Sequence, residues 1–185
     1  MSRSKILMLT GLASILGVGS GLLLYRYWDP DQDPLAFLDR FQQGFQSQPR
    51  VPEFTLPGLD GAPVSSRLWA GKVLVLNFWA TWCGPCRQET PLFIQIQREL
   101  GGRGVQFVGI AIDDPVAVEQ FSTKLGINYP ILVGADDAID LAKKLGNHLQ
   151  GLPFTAVLDR SGKLAWVHAG EIKREALEQI LHPLL

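Results

Sequence analysis

Residues 73–86 decide the fold, and they read Val-Leu-Val-Leu-Asn-Phe-Trp-Ala-Thr-Trp-Cys-Gly-Pro-Cys. The first seven, Val73 to Trp79, form an apolar run that is typical of a strand buried on both faces of a sheet. Cys83 and Cys86 follow and open a segment of helical pattern that extends to about residue 100. The sequence therefore predicts a buried strand that leads directly into a helix starting at a cysteine pair.

The position of the two cysteines favours redox chemistry. A cysteine at a helix N-terminus faces unpaired backbone N–H groups and the positive end of the helix dipole, which stabilise the thiolate. Two intervening residues on the first turn bring the second sulfur within disulfide reach of the first. Cys83 can therefore attack a substrate disulfide, and Cys86 can resolve the mixed disulfide. Because the pair stores two electrons, no organic cofactor is needed.

Three alternative roles fit the cysteine pair less well. A structural disulfide that closes so short a loop restricts the unfolded chain very little. A metal site needs two further ligands, and the three histidines lie far away in sequence with no ligand spacing, so no metal is expected. Two inert core cysteines would leave the intervening Gly84 and Pro85 without a purpose.

Outside this stretch, strands and helices alternate along the chain. Further strands are predicted at 54–56, 105–112, 129–133, 154–158 and 164–168, and further helices at 114–126, 136–146 and 171–181. Asp114 and Pro115 provide the N-cap and the first residue of the helix at 114–126. The alternation, ending in a hairpin and a helix, predicts an α/β fold with a central mixed sheet covered on both faces.

The N-terminal residues are predicted to lie outside this domain. Residues 6–25 carry no charge and, as a helix, would span about 30 Å, the thickness of a bilayer's hydrocarbon core. Arg3 and Lys5 precede the stretch and acidic residues follow it, which places the N-terminus in the cytoplasm. A cleaved signal peptide is the alternative, but residues 22–26, at the end of the stretch, offer no small-x-small cleavage site. We therefore expect a cytoplasmic stub and signal anchor at 1–28, a linker at 29–50 and a catalytic domain at 51–185.

Composition excludes several classes of protein. The 185 residues include 17 Lys and Arg and 18 Asp and Glu, which gives a net charge of −1 and no electrostatic footprint for nucleic acid. Two cysteines are too few for a disulfide-stapled miniprotein or for an all-thiolate zinc or iron–sulfur site.

Several segments resemble the thioredoxins. Residues 82–86 look like the thioredoxin active site, Pro91 matches the proline within the active-site helix, and residues 151–155 resemble the segment with the family's cis-proline. In that family the cis-proline lies beside the disulfide and pairs with the substrate backbone. The resemblance implies a substrate-binding set of Trp82, Gly84, Pro85, Leu152 and Pro153, with Pro153 cis.

A closer resemblance is to the membrane-anchored TlpA, ResA and CcmG (DsbE)-type thiol–disulfide oxidoreductases. The anchor, the Phe-Thr-Leu-Pro segment at 54–57, the residues at 77–82 and Glu89 all match that branch. It implies a thioredoxin-like fold with an N-terminal β extension and one transmembrane helix. It further implies a monomer, held in the inner membrane with its catalytic domain on the periplasmic or extracytoplasmic side. The expected activity is reduction of disulfides in exported proteins, with cytochrome c maturation as the leading context and a DsbD/CcdA-like membrane electron donor.

One departure from cytosolic thioredoxins concerns proton transfer. Those proteins hold a buried Asp on the strand before the cysteines, whereas here Asn77 occupies the matching position and cannot titrate. Glu89, one turn after Cys86, resembles the acid that this branch uses instead. The alternative is a solvated helix carboxylate beside Arg87. Asp113 and Asp114 are also acidic candidates, but a strand end and an N-cap account for them.

Two other functions remain as alternatives. A peroxiredoxin-like peroxidase shares the Phe-Thr-Leu-Pro segment, although Asn77 and Thr81 do not stand where the peroxidatic motif requires Pro and Thr. A copper-handling protein could use Cys83 and Cys86 as soft ligands for Cu(I).

Overall fold

Seven strands form two sheets in the computed structural model, which describes residues 50–185. The predicted anchor at 6–25 and residues 29–49 of the predicted linker lie outside the described residues. Among residues 50–185, no helix has the length and apolar character needed to cross a membrane. The strands are β1 (Thr55–Pro57), β2 (Pro63–Ser65), β3 (Val73–Trp79), β4 (Val105–Ala111), β5 (Ile131–Val133), β6 (Phe154–Leu158) and β7 (Leu164–Ala169).

The larger sheet has the order β5-β4-β3-β6-β7 and is mixed, as predicted. Strand β3 pairs in parallel with β4, and β4 pairs in parallel with β5. On its other side β3 pairs antiparallel with β6, which forms the predicted hairpin with β7. All seven residues of β3 are buried because the strand lies at the centre of this sheet.

Within residues 50–185, four α-helices flank the strands: α1 (Gly84–Leu100), α2 (Pro115–Leu125), α3 (Asp136–Lys144) and α4 (Arg174–Leu181). Alternate residues of β3 belong to different apolar clusters. Leu74, Leu76 and Phe78 pack with the buried residues of α3. Val73 and Val75 pack with those of α1 and α4. The central sheet is therefore covered on both faces, with Asn77 on the same side of β3 as Val73 and Val75.

The sequence missed one strand. Residues 63–65 pair antiparallel with β1 to form a two-stranded extension, with Leu56 opposite Val64. Nothing in this three-residue segment shows the alternation of a half-buried strand, because its residues are exposed or half-buried. Arg50 also joins the described fold, since it forms an isolated bridge with Lys163.

Helix boundaries differ from the predicted ones for local reasons. Helix α1 begins at Gly84 because Cys83 is its N-cap, and α2 ends at Leu125 because Gly126 adopts a left-handed φ of 65°. Helix α4 begins at Arg174 rather than near residue 171. The residues before it instead bring the backbone N–H of Ile172 to the side chain of Glu89.

Candidate active site

The cysteine pair lies where β3 leads into α1, as the sequence predicts. Cys83 is the N-cap of α1, and its Sγ accepts a hydrogen bond from the backbone N–H of Cys86 at 3.3 Å. Cys83 and Cys86 form a disulfide with their Cα atoms 5.3 Å apart. This arrangement confirms the predicted proximity, and it leaves Cys83 Sγ at the positive end of the α1 dipole.

The two sulfurs are not equally placed. Cys83 is 5% exposed and Cys86 is 1% exposed, so both are buried and Cys83 is the more accessible of the two. Trp82, directly before Cys83, is 70% exposed, so its side chain is open to a binding partner. Both cysteines pack in an apolar cluster with Trp79, and Leu152 packs against that cluster.

Glu89 lies on α1 three residues after Cys86 and is 2% exposed, so it is not a solvated helix carboxylate. Its Oε1 accepts a hydrogen bond from Asn77 Nδ2 at 2.8 Å, and its Oε2 accepts one from the Ile172 N–H at 3.1 Å. Burial raises the pKa of Glu89 to about 7, although both hydrogen bonds oppose this shift. The carboxyl group can therefore gain or lose a proton near neutral pH.

A buried polar network surrounds Glu89. Asn77 Nδ2 also donates to Thr155 Oγ1 at 3.2 Å, and Asn77 and Thr155 stand opposite each other in the β3–β6 register. Burial raises the pKa of Tyr129 above its ordinary value, and the nearby Glu89 carboxylate adds to this shift. Glu89 is thus the group in this network whose protonation changes near pH 7.

The Leu152–Pro153 peptide bond is cis, as the resemblance implied. The loop before it is held by Asn147, a buried residue that the sequence did not single out. Asn147 Nδ2 donates to the Gly151 carbonyl at 2.9 Å, and its Oδ1 accepts from the Gly151 N–H at 3.2 Å. The Asn147 side chain therefore satisfies both backbone groups of Gly151, as a paired β-strand would.

A cavity of about 250 Å³ opens beside Trp82 and Leu152. None of its described lining residues is charged: they are Trp82, Ile112, Ile139, Ala142, Asn147, Gln150 and Leu152. Cavities that hold a whole drug-sized ligand measure roughly 300–1,000 Å³, whereas an apolar cavity of about 150 Å³ accepts benzene. The size and lining of this cavity suit one apolar side chain.

The turn that precedes Cys83 contacts an acidic residue. Asp113 Oδ2 accepts hydrogen bonds from the backbone N–H and the hydroxyl of Thr81, at 2.8 and 2.5 Å. Sequence reasoning assigned Asp113 only to a strand end and did not find this contact. Asp114 is the N-cap of α2, as predicted, and accepts from the N–H groups of Val116 and Ala117.

His168 and Arg87 each contact an aromatic ring. His168 stacks on Trp166 with ring centroids 5.4 Å apart, and its Nε2 lies 3.3 Å from the Glu171 carbonyl oxygen. Within residues 50–185, no three His, Cys, Asp or Glu side chains are grouped so as to hold a metal ion. Arg87, which follows Cys86, stacks over the ring of Phe121.

A disulfide at a helix N-terminus after a central strand, beside a cis-proline loop, defines a thioredoxin-like thiol–disulfide oxidoreductase. The chain belongs to the Redoxin family, whose model matches residues 46–181.

Known proteins of similar sequence and structure agree with this class. The thiol-disulfide oxidoreductase ResA of Geobacillus thermodenitrificans (strain NG80-2) is 30% identical over 135 residues, which cover 72% of this chain and 75% of that protein. A thiol:disulfide interchange protein of the thioredoxin family from Chlorobium tepidum TLS has a TM-score of 0.68 at 32% identity, covering 74% of this chain and 96% of that one. A secreted Mycobacterium tuberculosis disulfide oxidoreductase homologous to E. coli DsbE has a TM-score of 0.60 at 26% identity, covering 71% of this chain and 96% of that one. The protein is a thiol–disulfide oxidoreductase of the ResA and DsbE type.

Proposed function

We propose that this protein reduces disulfides in exported polypeptides through the Cys83–Cys86 dithiol. The observation that carries the proposal is the placement of the pair, with Cys83 Sγ at the N-terminus of α1 and Cys86 buried beneath it. Cytochrome c maturation is the proposed setting. Residues 6–25 anchor the chain in the inner membrane, and the catalytic domain works as a monomer on the periplasmic or extracytoplasmic side.

The reaction exchanges one disulfide for another. The Cys83 thiolate attacks one sulfur of the substrate disulfide, a mixed disulfide forms, and the first substrate thiolate leaves. The Cys86 thiolate then attacks Cys83 Sγ and releases the second substrate thiolate. The substrate gains two electrons and two protons, and the protein is left with the Cys83–Cys86 disulfide. A DsbD/CcdA-like membrane donor returns the two electrons.

Glu89 serves the second step. Cys86 is buried, and burial disfavours its thiolate, so a base is required before it can attack Cys83. Glu89 lies on the next turn of α1 and has a pKa of about 7. Its position resembles that of the acid in ResA-type proteins, and the neighbouring Asn77 cannot titrate. It accepts the Cys86 proton during reduction of the substrate and returns it when the donor reduces the disulfide.

The cis-proline loop and the cavity bind the polypeptide. Pro153 holds the substrate backbone beside the sulfurs, with Gly84 and Pro85 forming the opposite side. The cavity next to Trp82 and Leu152 accepts an apolar side chain near the substrate cysteine. Extended or unfolded polypeptides present such side chains, which favours a protein disulfide over a small-molecule disulfide as substrate.

The direction of the reaction gives the first prediction. Gly84-Pro85 is the dipeptide of the reducing thioredoxins, whose potential is about −270 mV, against about −120 mV for the oxidant DsbA. We expect a potential nearer the first value. Equilibration with thiol buffers of known potential, followed by alkylation of the free cysteines, measures it. A potential near −120 mV would reverse the direction and leave the exchange chemistry unchanged.

A trapping experiment tests the proposed substrates and the roles of the cysteines. In full-length Cys86→Ala the mixed disulfide cannot be resolved, so we expect exported proteins to remain bound to Cys83 until a reductant is added. The matched control is Cys83→Ala, which should trap far fewer because Cys86 is the less accessible of the two cysteines. Equal trapping by the two variants would contradict the assignment of Cys83, and capture of cytoplasmic proteins alone would contradict the proposed location.

A further inference from the structure

The turn formed by residues 80–82 sets the position of Cys83, and one carboxylate from another part of the chain holds it. Asp113 lies between β4 and α2, 32 residues after Thr81. Its Oδ2 accepts from both the backbone N–H and the hydroxyl of Thr81, and its Oδ1 accepts from the Asp114 N–H at 2.8 Å. Hydrogen bonds to an ionised carboxylate are stronger than those between neutral groups.

Backbone contacts hold only the two ends of this turn. The Trp79 carbonyl accepts from the Ile112 N–H at 2.9 Å, and the Ala80 carbonyl accepts from the Cys83 N–H at 3.2 Å. Among residues 50–185, Asp113 is the side chain whose hydrogen bonds fix the turn between those ends. The turn and the loop before α2 are thereby joined at the carboxyl ends of β3 and β4.

We propose that Asp113 is a positioning residue for Cys83: by holding Thr81, it keeps Cys83 Sγ at the N-terminus of α1. This inference rests on the proposed function. A displacement of about 1 Å at a reacting group can lower a rate by about 10²-fold. A Cys83 that moves away from the Cys86 N–H loses stabilisation of its thiolate.

The charge state of Asp113 suits this role. Partial burial favours the neutral acid, but the hydrogen bonds from Thr81 and Asp114 outweigh it and lower the pKa of Asp113 below its ordinary value. The carboxylate therefore remains an acceptor for Thr81 at all pH values at which the dithiol works.

The experiment uses four full-length variants and two measurements. Thr81→Val removes the hydroxyl donor and leaves every charge in place, and Thr81→Ser restores the hydroxyl. Asp113→Asn weakens the acceptor, whereas Asp114→Asn removes the same charge one residue away and retains the cap, since Asn caps as well as Asp. The measurements are kcat/KM for a protein disulfide and the pH dependence of Cys83 alkylation by iodoacetamide.

We expect Thr81→Val and Asp113→Asn to lower kcat/KM about 10-fold while the proteins stay folded. In Thr81→Val the pKa of the Cys83 thiol should also rise, and Thr81→Ser and Asp114→Asn should behave as wild type. A Thr81→Val variant with the wild-type rate and alkylation profile would overturn the proposal. An equal loss in Asp114→Asn would also overturn it, because charge rather than contact would then be the cause. If the wild type reduces no disulfide, the proposed function fails, but alkylation of Cys83 still tests the positioning because it needs no substrate.

Discussion

Glu89→Gln is expected to lower kcat/KM for reduction of a protein disulfide by about 100-fold near pH 7, because it removes the carboxyl group that lies one turn from Cys86 and can take a proton there. General acid–base catalysis contributes about 10²–10⁴-fold to enzymatic rates, so the lower end of that range is assumed. The pKa of Glu89 is about 7, so the wild-type rate should change with pH around that value. The variant should lack this change. Rates measured from pH 5 to 9 test both points.

Glu171→Gln provides a matched control for that prediction. Glu171 lies close enough for its charge to raise the pKa of Glu89 slightly, but it is partly exposed and paired with Lys173. Removing this carboxylate should leave the rate within about two-fold of wild type, which is the size expected for a small change in a neighbour's pKa. If Glu89→Gln also retains the wild-type rate and pH profile, Glu89 takes no part in proton transfer.

The sequence was sufficient to predict the central strand, the active-site helix and the cysteine pair. The apolar run at Val73–Trp79 is long enough to identify a buried strand, and the Cys83 to Cys86 spacing at a helix start favours redox chemistry. The cis bond before Pro153 was expected only from the family resemblance, since most X-Pro bonds are trans. The strand, the helix start and the cysteine spacing are local features, so residues close in sequence are enough to reveal them.

Other parts of the site depend on contacts between distant residues and could not be read from the chain. The buried carboxylate of Glu89 accepts a hydrogen bond from the N–H of Ile172, which lies 83 residues away in the sequence. The contact between Asp113 and Thr81 depends on the ends of β3 and β4 lying side by side. Thr155 accepts a hydrogen bond from Asn77 because the two residues stand opposite each other in the β3–β6 register. No periodicity in the sequence reveals this pairing.

The stability of the oxidised protein should depend on pH through Glu89. Below pH 4.5 the carboxyl group is protonated in both folded and unfolded chains. Between about pH 4.5 and 7 the folded chain keeps the proton that the unfolded chain releases, so unfolding becomes easier as the pH rises. Above pH 7 both states are ionised and the loss is complete. A pKa raised from 4.5 to about 7 corresponds to about 3 kcal/mol of lost stability.

Glu89→Gln should remove that loss, because an amide does not titrate. The comparison is made between oxidised full-length wild type and variant, by urea denaturation at pH 4.5, 6 and 8. Asp113 and Asp159, whose pKa values are lowered, act alike in both proteins and cancel in the difference. The variant also forfeits part of the hydrogen bonding from Asn77 and Ile172, but that cost is the same at every pH. The quantity to compare is therefore the free energy of unfolding of the variant minus that of wild type. This difference should rise by about 3 kcal/mol from pH 4.5 to pH 8. A constant difference would mean that Glu89 titrates as an ordinary carboxyl group, and a fall would mean that the two hydrogen bonds outweigh burial and lower its pKa.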